Sequence, residues 1–445
     1  MSKSKYSDLS LHLTKTLSKN EKKTQGIYFT PPSTIEKNIE CISQYIKEDI
    51  RVLEPSCGSG EYISALNAVN RLNITAIEKN KTIYDSIIGL SATNIDIINA
   101  DYLSYTNENK FDLIIGNPPY FVMKKKEVGK EYYKYFTGRP NIFILFIIKS
   151  LNMLKENGIL SFVLPKNFLN CLYYNKTREY INKTCTILHI LECNDDYIET
   201  KQETIVLIIR KNSILVSDDH DVDPNVDLNV VPNVDHDVDP NVDHDVNPNV
   251  DHDVNPNVNN AYNLKINEYL IFGTEETIVE LKKLYTDSKS LHEMGFKVNV
   301  GNVVWNQCKD ILTDECKTRL IYSSDIVDKK LILKKYKNEC KKNYIDKKGE
   351  KDMVLVVNRG YGVGNYKFEY CLIDCDFEYL IENHLIVIRY IDVGNTEPIG
   401  KDQLLLKYNS IIKSLSNEKT KKFIELYFGN NAINTVELNH ILPIY

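Results

Sequence analysis

A tetrapeptide in the first third of the chain combines residue types that suit chemistry on an amino group. The residues Asn117-Pro118-Pro119-Tyr120 directly follow the apolar run 111–116. The prolines fix the backbone and remove two N–H donors, so the Asn117 side chain and the Pro118 carbonyl are expected to face outward as acceptors. Two acceptors beside the Tyr120 ring suit the binding of an exocyclic amino group that acts as a nucleophile. A rigid turn with a packed tyrosine is the alternative.

A second motif joins the first predicted strand to the helix that follows it. Segment 52–61 has the sequence VLEPSCGSGE, in which Gly58 and Gly60 allow the backbone to turn tightly beneath a ligand. Glu78 ends the second predicted strand, where a carboxylate is well placed to accept hydrogen bonds from ribose hydroxyls. The GxGxxG sequence of a nicotinamide-binding domain is not present, so no cradle for a pyrophosphate is predicted.

Alternating strands and helices must position both motifs. Apolar strands are predicted at 51–54, 74–78, 95–98, 111–115, 159–164, 186–192 and 203–211, and helices at 32–46 and 141–156. This alternation predicts an α/β fold with a doubly wound, mostly parallel sheet of the Rossmann-like kind. The fold is predicted to form a catalytic domain at 1–215. Ligands of such sheets lie beyond the carboxyl ends of the strands, and both motifs occur there.

An acidic repeat interrupts the chain after this domain. An eight-residue unit, Val-Asp-His-Asp-Val-(Asp/Asn)-Pro-Asn, starts at Val234, Val242 and Val250. Valine is its only bulky apolar residue, so segment 216–262 is predicted to be a disordered Asp/Asn/Val/Pro linker. The net charge of the whole chain is −6, and twelve aspartates in 218–258 leave +6 on the remainder. A mildly basic body is compatible with a polyanionic partner.

The remaining segment, 263–445, predicts a smaller α+β domain. Strands are indicated at 353–358 and 384–390, a strand-turn-strand at 297–305, and helices that end at Tyr285 and cover 418–428. The stretch 329–351 contains ten lysines together with two tyrosines. Contact with phosphates and a solvated helical face both explain this composition.

Composition excludes several other classes of protein. The ten cysteines show no CxxC spacing, so no metal site is predicted and reduced thiols are expected. The most apolar stretch, 142–154, is too short to span a bilayer and contains Lys149. The polar beginning of the chain shows no secretory signal, so no membrane association and an intracellular location are expected.

The order of three motifs resembles one class of enzyme. Gly26-Ile-Tyr-Phe-Thr-Pro-Pro32, the Gly58–Gly60 loop and Asn117–Tyr120 follow one another as in the gamma class of DNA adenine-N6 methyltransferases of type II restriction-modification systems. The resemblance covers roughly 20–215 by motif and the remainder more loosely. It implies S-adenosyl-L-methionine as cofactor and a target-recognition domain at 263–445.

The resemblance also implies roles for individual residues. Asn117 and Pro118 would accept hydrogen bonds from the target NH2, Pro119 would keep the turn rigid, and Tyr120 would stack on a base flipped out of the duplex. A second aromatic residue is expected near the base, for which Tyr197 is the candidate. The implied cofactor-binding residues are Thr30, Glu54, Pro55, Gly58, Gly60, Glu78, Asp101 and Tyr102. Of these, Thr30, Glu54 and Gly58 would lie along the methionine part of the cofactor, while Asp101 would bind the adenine amino group and Tyr102 would lie against the adenine ring.

Several functions share these motifs. Release-factor glutamine methyltransferases also contain Asn-Pro-Pro-Tyr but place their additional domain before the catalytic one, and cytosine-N4 enzymes usually have Ser at the position of Asn117. Methylation of RNA or of a protein glutamine and a catalytically silent DNA-binding module remain alternatives. The function predicted here is site-specific methylation of N6 of adenine in duplex DNA. The protein is expected to be a monomer, with any cognate restriction endonuclease acting separately.

Overall fold

The computed structural model describes residues 6–69, 72–193, 195, 197–200, 202–213, 261–336, 341–359, 368–391, 399–428 and 433–445. These residues form two compact units, one from the chain up to 213 together with 261–278, and the other from 279–445. The predicted linker 216–262 thus lies almost wholly outside the described residues, and the domain limits 1–215 and 263–445 stay a prediction. Within the described residues, no helix has the length and apolar character needed to cross a bilayer.

The first unit is built on a seven-stranded sheet. Its strands are β1 (Arg51–Glu54), β2 (Asn73–Glu78), β3 (Ile95–Asn99), β4 (Phe111–Gly116), β5 (Leu154–Pro165), β6 (Cys185–Cys193) and β7 (Thr204–Lys211). Their order across the sheet is β3-β2-β1-β4-β5-β7-β6. The pairs among β1–β5 are parallel, whereas β7 lies antiparallel between β5 and β6. The predicted doubly wound, mostly parallel, Rossmann-like α/β fold is confirmed.

Helices cover this sheet because its strands are apolar on both sides. The helices are α1 (Asp8–Thr16), α2 (Lys19–Gln25), α3 (Pro32–Ser43), α4 (Glu61–Val69), α5 (Lys81–Ile87), α6 (Ile142–Met153) and α7 (Asn175–Thr184). Leu53 and Ile114 belong to the core cluster that contains α6, while Val52 and Leu113 belong to the cluster that contains α3. Alternate residues of one strand thus pack into different cores, as a fully buried parallel strand requires.

Two helices end earlier than the sequence predicts. The helix predicted at 32–46 ends at Ser43. The helix predicted at 141–156 ends at Met153, and residues 154–156 already belong to β5. Leu154 is buried and pairs with Phe111 of β4, so tertiary packing overrides the helical pattern. Asn157 then takes a left-handed conformation, with φ of 63°, inside the long strand.

The second unit combines two small sheets with helices, in agreement with an α+β composition. Its sheets have the orders β10-β19-β16-β17 and β11-β15-β12-β18, and β13 and β14 form a separate hairpin. The strands are β10 (Phe296–Val300), β11 (Leu312–Thr313), β12 (Thr318–Ile321), β13 (Ile326–Val327), β14 (Lys330–Leu331), β15 (Tyr344–Ile345), β16 (Val354–Asn358), β17 (Tyr370–Ile373), β18 (Tyr379–Ile381) and β19 (Leu385–Tyr390).

The helices of the second half and one further hairpin complete the described elements. The hairpin of β8 (Asn263–Ile266) and β9 (Tyr269–Phe272) belongs to the first unit, and α8 (Glu275–Tyr285) follows it. The remaining helices are α9 (Lys401–Leu415), α10 (Glu418–Phe428) and α11 (Thr435–His440). Of the strand-turn-strand predicted at 297–305, the first strand forms as β10, whereas the second is reduced to an isolated bridge between Val303 and Glu382 ahead of a 3-10 turn at Trp305–Gln307.

Candidate active site

The loop after β1 has the tight geometry that its glycines predict. Gly58 and Gly60 adopt positive φ angles of 50° and 76°, which favour residues without a Cβ atom. A Cβ at Gly60 would lie 2.6 Å from Leu90 Cδ1. Glu78 ends β2 and fixes the loop, since its carboxylate accepts hydrogen bonds from the backbone N–H of Gly58 at 2.9 Å and of Asn80 at 2.7 Å.

A buried carboxylate lies beside this loop. Glu54 is 2% exposed, and its Oε2 atom has no hydrogen-bond partner among the described residues. Desolvation, reinforced by the charges of Glu78 and Glu61, raises the pKa of Glu54 well above its usual range. A carboxyl group in this position favours a ligand that carries positive charge and hydrogen-bond donors, which would satisfy the unpaired oxygen.

A recess beyond the ends of β1 and β4 brings together residues from all three motifs. Thr30, Glu54, Gly58 and Asn117 line it, together with the aromatic residues at 28 and 29. The carboxyl ends of adjacent parallel strands meet here, because β1 pairs directly with β4. The residues predicted to contact the methionine part of the cofactor and the predicted catalytic amide of Asn117 therefore lie at one edge of the sheet.

The Asn117 amide is held from both ends. Its Nδ2 donates to Thr30 Oγ1 at 3.0 Å and to the Tyr28 carbonyl at 3.3 Å, while its Oδ1 accepts from the Tyr120 hydroxyl at 2.5 Å. Ser56 donates from its hydroxyl to the Asn117 carbonyl at 3.0 Å. The amide orientation follows from this network, because only Nδ2 can donate to the Tyr28 carbonyl.

The Tyr120 side chain folds inward rather than toward solvent. Its hydroxyl also lies 2.8 Å from the Val163 carbonyl, and its ring meets Phe143 edge-on, with 6.0 Å between the ring centroids. Burial raises the pKa of Tyr120 well above its usual range. The Asn117 side chain was expected to face outward as an acceptor, and in this structure its Oδ1 atom already accepts one hydrogen bond. The hydroxyl of Tyr120 occupies that acceptor, since a partly buried phenol needs a hydrogen-bond partner.

The N-terminal segment contributes contacts that were not predicted. Gly26, at the end of α2, has a φ of 67°, and a Cβ there would lie 2.8 Å from the Tyr120 backbone nitrogen. Ser10 donates to Glu61 at 2.6 Å and lies 2.8 Å from the Ser59 hydroxyl. The glycine in the motif Gly26–Pro32 was the available signal, whereas the serine contacts have no sequence signature because they join distant segments.

Two residues predicted to contact the cofactor adenine have other partners. Asp101 caps the Leu103 N–H at 3.0 Å and pairs with Lys79 at 2.8 Å on the protein surface. Tyr102 is 2% exposed, packs against Phe146 of α6 and lies 2.8 Å from a serine hydroxyl of that helix. The Tyr102 ring therefore belongs to the core, because its apolar face has more area to bury against α6. Its predicted contact with adenine has no geometric support.

The second aromatic candidate lies close to the recess but is largely buried. Tyr197 is 6% exposed, and it lines a neighbouring depression together with Tyr28 and Phe29, which also line the recess that contains Asn117. Burial raises the pKa of the Tyr197 phenol. Pro55 and Pro118 are buried, and Pro119 is partly buried beside the Gly26 turn.

Comparison with known proteins identifies relatives of this chain. Residues 6–198 match the family model described as Eco57I restriction-modification methylase. The modification methylase CviBIII of Paramecium bursaria Chlorella virus NC1A is 32% identical over 219 residues. These residues are 48% of this chain and 56% of that protein, so this chain spans about half the length of that relative. The type II methyltransferase M.CvrRI of Paramecium bursaria Chlorella virus XZ-6E is 24% identical over 99% of both chains.

The matched region contains the whole recess described above. A third relative, the type II methyltransferase M.AccI of Acinetobacter calcoaceticus, is 33% identical over 150 residues, 32% of this chain and 28% of that protein. S-adenosyl-L-methionine is the methyl donor of this family, and the buried Glu54 carboxyl and the Gly58 turn fit its cationic methionine part. The predicted resemblance to the methyltransferases of type II restriction-modification systems is thereby confirmed.

Proposed function

We propose that this protein is a site-specific DNA methyltransferase that methylates N6 of adenine in duplex DNA. One observation carries the proposal most directly. The oriented Asn117 amide lies at the end of β4, in the same recess as Glu54 and Gly58 and next to an aromatic ring at Tyr120. An acceptor and a cofactor loop within one recess, with the Tyr120 ring adjacent to the acceptor, suit the methylation of an amino group on a planar base.

The residues proposed to hold the cofactor surround this recess. Thr30, Glu54 and the turn at Gly58 and Gly60 would contact the methionine part, with the preceding Pro55 fixing the start of the loop. Glu78 would accept from the ribose with lone pairs that its two backbone contacts leave available. Asp101 would reach the adenine amino group only by exchanging its exposed pairing with Lys79. When bound, S-adenosyl-L-methionine supplies an electrophilic methyl group.

The Asn117 side chain would position the target nitrogen. Its Oδ1 atom and the Pro118 carbonyl accept hydrogen bonds from the adenine amino group, and these bonds direct the nitrogen lone pair away from the two acceptors. Thr30 and the Tyr28 carbonyl hold the other end of the amide, so the oxygen cannot exchange places with the nitrogen. The methylated nitrogen is briefly cationic and loses its proton easily, so no strong base is needed. Rate enhancement then comes from positioning and electrostatics.

The hydroxyl of Tyr120 makes the hydrogen bond to Asn117 Oδ1 that the substrate amine would make. Both groups donate to Asn117 Oδ1, so the base displaces the hydroxyl and Tyr120 turns to stack against it. This reaction on a base requires extrusion of the base from the duplex, and Tyr120 and Tyr197 are the aromatic residues proposed to stack on it. Asn rather than Ser at position 117 favours adenine over cytosine. The segment 263–445 is proposed to recognise the DNA sequence.

Expression in a bacterial host without adenine methylation tests the proposal. Sequencing of host DNA by a method that detects modified bases should show N6-methyladenine in one short, fixed context. The variant Asn117→Ala should bind S-adenosyl-L-methionine normally in calorimetry and lose about 10²–10³ in turnover, the usual cost of losing one positioning contact of this kind. Unmodified host DNA together with methylation of an RNA or of a release factor would contradict the DNA assignment. Absence of all methylation with intact DNA binding would identify a silent module.

A further inference from the structure

A short basic hairpin lies beside β17 in the second unit. It comprises Ile326–Lys335, in which β13 and β14 pair through a turn at Asp328 and Lys329. Both turn residues have positive φ angles, 49° and 63°, which match the twist of a tight two-residue hairpin. The side chains of Ile332 and Leu333, directly after β14, are 48% and 41% exposed. These two adjacent aliphatic side chains form a small apolar patch that a partner can cover.

The backbone of this hairpin is anchored from beneath by a buried ion pair. Asp325 is fully buried, and its carboxylate accepts hydrogen bonds from the Lys334 N–H at 2.9 Å and from the Tyr336 hydroxyl at 3.0 Å. Its carbonyl accepts from the Ile332 N–H at 2.7 Å. Arg319 lies 3.7 Å from Asp325 and donates to the Lys334 carbonyl at 2.8 Å. These contacts fix the backbone on both sides of Ile332 and Leu333, so the exposure of the two side chains results from the fold of the hairpin.

Positive charges flank the aliphatic pair on both sides. The hairpin contains one aspartate and four lysines, and the lysine side chains at 329, 330, 334 and 335 are exposed. Lys329 lies over the Tyr370 ring at 5.0 Å, which restricts its range. Two aliphatic side chains between two pairs of cations match a groove of duplex DNA, where base edges and sugars are bordered by two lines of phosphates.

We propose that the basic hairpin Ile326–Lys335 contacts DNA, with Ile332 and Leu333 inserted in a groove and the lysines against the flanking phosphates. The inference rests on the proposed function and adds to it a specific element of the recognition surface. Duplex DNA is favoured over a lipid surface because two aliphatic side chains bury little area in a membrane. The net charge of +6 outside segment 218–258 adds to the same attraction.

Two sets of variants separate the apolar and the electrostatic contributions. The pair Ile332→Ser and Leu333→Ser should weaken duplex binding about tenfold, the order of one good base contact, without changing the slope of log affinity against log salt concentration. The pair Lys330→Gln and Lys335→Gln should reduce that slope by about 2, since each phosphate contact contributes about 0.9. Fluorescence anisotropy of full-length protein with labelled duplex at several salt concentrations measures both quantities.

Matched controls come from an exposed helix of the same unit. Leu406 of α9 is 69% exposed and Lys413 of the same helix is exposed, so Leu406→Ser and Lys413→Gln should leave both affinity and slope unchanged. Circular dichroism melts should be the same for all variants, because only solvent-facing side chains change. Hairpin variants that behave like these controls would overturn the inference.

Other binding partners of the hairpin would give different results in these experiments. If the wild type sediments as a dimer and the serine pair as a monomer, the hairpin joins two copies of this chain and the inference is wrong. Binding to anionic vesicles that the serine pair abolishes, with DNA affinity unchanged, would also overturn it. Failure of the wild type to methylate any duplex would reject the proposed function instead. A wild type that methylates DNA while the hairpin variants do so with unchanged affinity rejects the hairpin alone.

Discussion

The contact between Tyr120 and Asn117 predicts an unusual effect of Tyr120→Phe. The Tyr120 hydroxyl oxygen lies 2.5 Å from Asn117 Oδ1 and 2.8 Å from the Val163 carbonyl oxygen, and its hydrogen bond to Oδ1 competes with the one that the target amine needs. Phe keeps the stacking face and the edge-on contact with Phe143 but removes this competitor. A hydrogen bond of this kind contributes about 0.5–1.5 kcal/mol net, so the open arrangement should become about 2–12 times more populated.

Steady-state methyl transfer to plasmid DNA measures this shift. The kcat/KM of Tyr120→Phe should rise by about 2–12-fold, and that of Tyr120→Ala should fall, since stacking contributes about 1–3 kcal/mol per base. Tyr173→Phe is the control, because Tyr173 is 53% exposed and its ring lies against Gly138. If Tyr120→Phe loses as much activity as Tyr120→Ala, the hydroxyl takes part in the reaction and does not compete with the substrate.

Three further variants test the recess and the insert. Gly60→Val should weaken S-adenosyl-L-methionine binding in calorimetry, because a β-branched residue is strained at a φ of 76° and meets Leu90, whereas Gly89→Val, with no neighbour within 4 Å, should bind normally. Glu54→Gln should stabilise the cofactor-free protein most at high pH. The pKa of this buried carboxyl is raised, so the stability of the wild type falls as pH rises above the ordinary carboxyl range. Equal shifts in melting temperature at pH 5 and pH 8 would contradict this cause. Deletion of 219–257 should leave methylation nearly unchanged.

The fold was predictable because its signals are local. Each strand of the main sheet contains a short apolar run bounded by polar or glycine residues, and the strands at 51–54 and 111–116 carry their motifs at the carboxyl end. Parallel pairing then brings those ends together without further information. The recess around Thr30, Glu54 and Asn117 follows from this rule.

The details of the site were not predictable because they depend on competition between partners. Tyr120 and Tyr102 both lie in motifs that indicate ligand contact, yet each turns its ring toward α6, where Phe143 and Phe146 offer buried area. Composition also left the lysine-rich stretch undecided between a solvated face and phosphate contact. Only the buried Asp325 beneath it shows that part of this stretch has a fixed conformation.

Deletion of 219–257 is expected to be tolerated because the described residues on the two sides of the segment lie close to the same helix. The Asn212 N–H donates to the Thr184 carbonyl at 3.0 Å, and the Asn263 side chain donates to Asn182 at 2.7 Å, so the chain leaves and returns at the last turn of α7. Closing a flexible loop costs only about 0.6 kcal/mol for each doubling of its length. Replacing 219–257 with a short flexible linker shortens the segment 214–260 about fourfold.

The catalytic unit should therefore gain only about 1 kcal/mol in its free energy of unfolding when the repeat is removed, because two halvings of the loop are involved. Urea unfolding of the deletion variant measures this gain, and methyl transfer to plasmid DNA should stay near the wild-type rate. A loss of several kcal/mol would mean that the repeat packs against the folded chain. Loss of methylation without loss of stability would mean that the repeat takes part in substrate binding. Either result would contradict the interpretation of 216–262 as a disordered linker.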